Sequence, residues 1–373
     1  MNLELTDEQT FLREAARDAL SRVNTVGAAR DALEDADSLP DLWPTAREAG
    51  WSGLLVSEEH GGAGLGAFDA MLVLGEAGRV LAGIALLGHL PASVLLDRGA
   101  DERIAEVADG SLRACFVPAR PPGDVAGGWT VEAPSGPRRA DAPLLGVDGL
   151  LRGRACWVVD APGADVLVVV ATRADDGVPV AVAVDGGGAG VAIERVTRYD
   201  ATRSLGHVTF EAAEARVVES VGAVELAGAW YLAQALLAAE SLGGVETALA
   251  TCVGYAKERF TFGRAIGSYQ AVKHSLVEVL RLRENAYSLL VYAGWAYEDA
   301  RDEWPLAASA ARAAAGHALD YASRTMISVH GGTGATWEHD APLFFRRAQL
   351  SRRLLGGLGD ATDRVAGELL RAA

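Results

Sequence analysis

Residues Tyr255 to His274 read YAKERFTFGRAIGSYQAVKH. The stretch is decisive because it sets an Arg-Phe-Thr-Phe-Gly turn, Arg259 to Gly263, directly after a helical segment. Gln270 follows seven residues beyond Gly263, where the next helix starts. A Gly-containing turn between helices leaves backbone N–H groups free, and an arginine beside a hydroxyl, here Arg259 near Thr261, can hold a pyrophosphate. The same residues also suit an ordinary corner between helices, with Arg259 in solvent and Phe260 and Phe262 in the core.

Outward from this corner the chain falls into three compositional zones. From about Ala223 to the end it is Ala- and Leu-rich and helical. After Gln270, residues Val272, Leu276, Val279, Leu280, Tyr287, Leu290 and Ala293 make an apolar stripe at helical spacing, which predicts a bundle. Between about Leu112 and Val217 the period changes. ACFVPA, GWTVEA, LLRGRACWVV, ADVLVVVATRA, PVAVAVD, VAIERV and GHVTF are short β-rich runs separated by Gly, Pro and Asp, which predicts a β-barrel or sandwich. From Leu3 to about Gly110 the pattern is helical again. Thr6 caps a first helix with Glu8 and Gln9 in its first turn, and Phe11, Leu12, Ala15 and Leu20 recur at helical spacing. A Gly-rich loop, GWSGLLVSEEHGGAGLG, interrupts this zone before FDAMLVLGEAGRVLAG resumes the helix. The expected domains are residues 1–111, 112–220 and 221–373 of an α+β multidomain chain.

With 373 residues, half of them hydrophobic, the chain can bury two or three packed units. Lys and Arg number 34 against 50 Asp and Glu, a formal charge of −16. Such an acidic chain repels nucleic acid and anionic lipid. Cys115, Cys156 and Cys252 are scattered, without metal-ligand spacing, and read as small hydrophobes in a reducing compartment. The amphipathic, acidic N-terminal stretch is unlike a signal peptide, and no apolar run approaches the roughly 20 residues of a membrane span. A cytoplasmic protein is expected.

The 255–274 segment closely resembles the cofactor-binding signature of acyl-CoA dehydrogenases, flavoenzymes that oxidise acyl thioesters. The order of helical domain, central β-barrel and C-terminal four-helix bundle is also similar, and the resemblance covers essentially the whole chain. It implies that Arg259, Thr261 and Gln270 grip the FAD diphosphate of a neighbouring subunit, with Phe262 also among the cofactor-binding residues. A second similar stretch, HGGTGATWEHDAPLFFRRA at His330–Ala348, implies that Gly331 and Gly332 meet the adenosine end of FAD across a subunit interface. A helix C-cap followed by a turn is compatible with the same residues. His339 and Asp340 read as a structural salt bridge, because no nucleophile stands near them.

The chain departs from the family where chemistry is done. Dehydrogenation needs a carboxylate to remove the α-proton while the β-hydride passes to flavin. The usual Glu position is Leu355, followed by Gly356, and the minority position is Ala233, with Gln234 in place of the substrate-binding Arg. Glu240 is the nearest carboxylate, seven residues after Ala233. That spacing returns it to nearly the same helix face but about 10 Å along the axis. It reads either as a substitute base or as a polar residue of an interfacial helix. Val117, Pro118 and Gly123 stand where Thr, Glu and Ser are expected, and Ser328 stands for a Gln. Trp157 is kept and could cover a flavin ring or fill the barrel, but Val159 replaces the Thr beside it.

The resemblance therefore implies the depleted partner of an α2β2 acyl-CoA dehydrogenase, of the kind acting on steroid side chains. A second family chain would supply the catalytic Glu, and the ligands would be FAD and an acyl-CoA thioester. The alternatives are a self-associating dehydrogenase with a relocated base and a scaffold that binds no flavin.

Overall fold

In the computed structural model, which describes residues 4–118 and 142–372, α1 (Asp7–Ser21) starts as its sequence predicts. Thr6 Oγ1 accepts the Gln9 N–H and the Gln9 side chain accepts the Thr6 N–H, each at 3.2 Å. The buried face of α1 runs through Leu12, Ala16 and Leu20, so the expected contribution of Phe11 is not made: it is 74% exposed. The helical domain continues with α2 (Thr25–Asp31), α3 (Trp43–Glu48), α4 (Ala67–Arg79), α5 (Leu86–Arg98) and α6 (Ile104–Ala108).

The central strands are β1 (Ala114–Val117), β2 (Leu144–Leu145), β3 (Leu150–Val159), β4 (Val166–Arg173), β5 (Pro179–Asp185), β6 (Val191–Arg195), β7 (Leu205–Glu214) and β8 (Arg216–Val217). They form one sheet ordered β6-β7-β3-β2-β4-β5-β8, with β1 added parallel to β4. GWTVEA and Gly123 lie outside the described residues. In β4, Val166, Val168 and Val170 join the helical core, while Leu167, Val169 and Ala171 fill a second core on the other face. A strand buried on both faces must be apolar throughout, which explains the run VLVVVA. Between Ala155 and Val158 the β3–β7 register slips. That bulge leaves Trp157 at φ 58° and turns its ring toward the helices.

The C-terminal domain holds α7 (Ala223–Glu258), the hairpin β9 (Phe260–Thr261) and β10 (Arg264–Ala265), then α8 (Gln270–Asp299), α9 (Trp304–His330), α10 (Ala341–Ser351) and α11 (Gly357–Ala372). The buried seam of α8 runs Val279, Leu282, Ala286, Leu290 and Ala293. Leu280 is displaced from the expected stripe and is 45% exposed, because 279 and 280 lie about 100° apart around a helix. Contrary to expectation, α7 is long and apolar enough to cross a membrane, but 67% of its most apolar window is buried inside the fold. It is held closely to α4: a Cβ on Gly78 would lie 1.9 Å from the Glu240 carbonyl oxygen, so only glycine allows this contact.

Candidate functional site

Two spaces of opposite character bracket the predicted site residues. The first lies where α5, α7, the β-domain and the turn after α10 converge. Trp157, Pro118, Ala233 and Leu355 all line it, together with Phe116, Leu237 and Leu354. The chain thus brings both family base positions to one place, beside the tryptophan that its bulge aims there. The space is only about 10 Å³, roughly one water, and among the described residues no titratable side chain lines it. Neither a flavin ring nor a substrate thioester fits. The Arg198 guanidinium also lies over Trp157, 4.1 Å from the ring centroid, and the His207 ring packs edge-on at 4.6 Å.

Glu240 is not in that space. It is buried between two guanidinium groups, paired with Arg203 and, at 2.9 Å, with Arg347. Arg347 also reaches Asp200 at 2.8 Å, and its Nη2 donates to the Leu81 carbonyl. These side chains tie the helical domain, the sheet and α10 together. The Glu240 carboxylate oxygens are thus taken up by Arg203 and Arg347, and the side chain is buried away from the space beside Ala233. Beside this cluster the Asp160 carboxyl is pushed up to about 6, chiefly by burial and against the pull of Arg203. It accepts the Gly88 N–H at 2.9 Å.

The second space is an open groove of about 720 Å³ beside the β9–β10 hairpin. Thr261 and Phe262 line it from the hairpin, Ser275 from α8, and Arg324, Thr325 and Ser328 from α9. Its volume is in the range of small-molecule sites. Arg259 ends α7, exposed and without an ion pair among the described residues. Gln270 is the exposed first residue of α8, a 30-residue helix that starts without a side-chain cap. Its free N–H groups and positive dipole end remain available to an anion.

Phe260 and Phe262 are 64% and 93% exposed, so the hairpin is not the core-filling corner that its aromatic residues allowed. Gly331 adopts φ 63°, but Gly332 is in ordinary helical backbone. A Cβ on either would meet nothing within 4 Å, so the chain alone does not require glycine at 332. The hairpin end and this glycine corner are joined by stacking of Tyr255 on His330, at 4.3 Å between centroids. These residues fit the diphosphate and adenosine half of FAD: an unpaired cation, hydroxyls, helix N–H groups and backbone without side chains.

The structure therefore separates Trp157 from Thr261 and Phe262, which belong to the groove, with Arg259, Gln270 and the glycine corner in neighbouring positions of the chain. Asp340 pairs with Arg30 of α2 and not with His339, whose Nδ1 accepts the Ala341 N–H at 3.0 Å. Sequence reasoning missed Arg203, Arg347 and Asp200, and it missed Arg324 and Ser275 in the groove. Of these only Arg347 lies in a stretch that the sequence singles out, and nothing in that stretch reports its ion pairs.

Comparison with known proteins adds independent findings. "Acyl-CoA dehydrogenase, N-terminal domain" matches residues 6–107, and "Acyl-CoA dehydrogenase, C-terminal domain" matches residues 230–365. Acyl-CoA dehydrogenase IpdE2 of Mycobacterium tuberculosis is 30% identical over 97% of this chain and 98% of its own length. IpdE2 of Mycolicibacterium smegmatis is 27% identical over 98% of this chain and 100% of its own. Among solved structures, a variant of the Tcur3481-Tcur3483 steroid ACAD superposes with a TM-score of 0.84 at 28% identity, covering 98% of both chains. Butyryl-CoA dehydrogenase from Megasphaera elsdenii shares the fold, with a TM-score of 0.83 at 19% identity over the whole of both chains.

Proposed function

Because the chain belongs to the acyl-CoA dehydrogenase family, we propose that it is the cofactor-gripping subunit of a heteromeric FAD enzyme that dehydrogenates an acyl-CoA thioester between Cα and Cβ. One observation carries this reading. The space lined by both family base positions is closed and apolar, while the groove beside the predicted FAD-diphosphate residues is open. A chain built this way completes a neighbour's site and has none of its own.

FAD bound in the assembly would accept the β-hydride. The residues of this chain hold and shield it: Arg259 and the N-terminus of α8 neutralise the diphosphate, and Thr261 and Gln270 donate hydrogen bonds. The Phe262 ring excludes water at the subunit boundary. The catalytic carboxylate comes from a partner of the same family, and Glu240 holds the domains together. Likeness to IpdE2 and to a steroid ACAD supports a bulky, steroid-derived acyl group as substrate.

The test is the flavin content of the chain co-purified with a family partner. Arg259→Ala should lower bound flavin on the order of tenfold, as expected for loss of a charge-assisted contact. Full flavin content in that variant, or stoichiometric flavin in the chain purified alone, would overturn the reading.

A further inference from the structure

A separate cleft of about 370 Å³ lies between the helical domain and the sheet, remote in chain position from the groove. Its helical wall is the segment Leu39–Leu42 before α3 and the turn after α4. Its other wall is the loop at Pro162–Gly163, the end of β6 and the segment 201–204. Two arginines line it, Arg113 and Arg195, in a chain whose formal charge is −16.

Each arginine has unspent donors. Arg113 is oriented by its Nε–H, which donates to the Gly163 carbonyl at 2.9 Å, and by the Trp43 ring 5.6 Å away. Its Nη groups have no hydrogen-bond partner among the described residues. Among the described residues Arg195 has a single 3.2 Å contact, to Asp37, whose side chain is 86% exposed. Such a solvated pair contributes little and exchanges readily. Asp41, the one carboxylate in the lining among the described residues, accepts the Trp43 N–H at 3.0 Å just before α3. Ser204 also lines the cleft, its hydroxyl without a side-chain partner among the described residues, and Leu39, Leu81 and Pro162 supply apolar wall.

We propose that this cleft binds a small organic anion, a carboxylate or a phosphate monoester, with its charge between Arg113 and Arg195 and its carbon part against Leu39, Leu81 and Pro162. Planar guanidinium groups suit both anions, and the volume admits a short ligand and excludes a dinucleotide.

The experiment is calorimetric titration of the intact protein with butyrate and with inorganic phosphate, at constant ionic strength. Saturable binding is expected, and Arg195→Met should weaken it on the order of tenfold. Arg195 is exposed, so this variant should keep the wild-type melting curve. Asp37→Asn should leave binding equal or tighter. Tighter binding of butyrate identifies the site with carboxylates, and tighter binding of phosphate identifies it with phosphate esters; both support the site. No saturable heat, or equal affinity in wild type and Arg195→Met, would overturn it. Neither result bears on flavin content, so the site stands or falls separately from the grip on FAD.

Discussion

Ala233 of α7 and Leu355 of the turn after α10 line one cavity of about 10 Å³, although 122 positions separate them in the chain. Both are the positions at which the family resemblance places a base, and here both are hydrocarbon. The loss is one of volume as well as of chemistry, because Phe116, Trp157 and Leu354 close the space around them. On the heteromeric reading proposed above, half as many flavins as chains are expected in the assembly, measured by visible absorbance against protein. Leu355→Glu should give no dehydrogenase activity to the chain alone. It should instead lower stability by several kcal/mol, since the new carboxylate would be buried without a partner.

Glu240 separates two readings of the chain. Glu240→Gln leaves Arg203 and Arg347 facing each other with Asp200 as the main remaining counter-charge. Breaking a buried ion pair from one side costs about 3–5 kcal/mol. The variant should melt earlier, and whatever assembles should turn over at the wild-type rate. A relocated base would give the reverse, an unchanged melting curve with lost turnover.

The sequence was most informative where geometry is local. The Thr6 capping box, the apolar run of β4 and the turn at Arg259–Gly263 each depend on neighbours within a few residues. Ala233 and Leu355 could be read as missing bases by counting along the chain. That the two meet, and that the cavity between them is closed, depends on α5, α7 and α10 packing, which no spacing reports. Arg347 lies in a recognised motif, yet its partners Asp200 and Glu240 stand 147 and 107 positions away. Phe11 and Leu280 were misread for another reason: each neighbours the true buried stripe, and a helix turns about 100° per residue.

Phe262 occupies the first loop position of the β9–β10 hairpin, with φ 52°, and Gly263 follows at φ 78°. Positive φ at both positions is the type I′ pattern, which favours Asn-Gly. A phenylalanine there pays about 1–2 kcal/mol in backbone strain, and its ring is 93% exposed. Phe262→Asn should therefore stabilise the isolated chain by up to about 1 kcal/mol in denaturant titration. In the complex the same variant should release flavin faster, read by fluorescence of the freed cofactor. A destabilised chain with normal flavin retention would make the ring structural.

His89 and Asp160 lie fully inside the fold and oppose one another in their response to pH. Burial lowers the His89 imidazole from 6.5 to about 4, while its Nε2 lies 3.1 Å from the Ser52 carbonyl oxygen and its Nδ1 accepts the Ala114 N–H. Between those values the unfolded chain binds the extra proton, so this group makes stability rise with pH. Asp160 is raised from 3.8 to about 6, so the folded chain binds the extra proton and stability falls with pH across that window. Each shift amounts to on the order of 3 kcal/mol, and between about pH 4 and 6 the two nearly cancel. Asp160→Asn keeps an acceptor for the Gly88 N–H and suits the left-handed backbone at φ 63°. It should expose the histidine response: a melting temperature that climbs more steeply from pH 4.5 to 6 than that of the wild type. Parallel profiles for the two proteins would mean that Asp160 stays ionised throughout, held by Arg203.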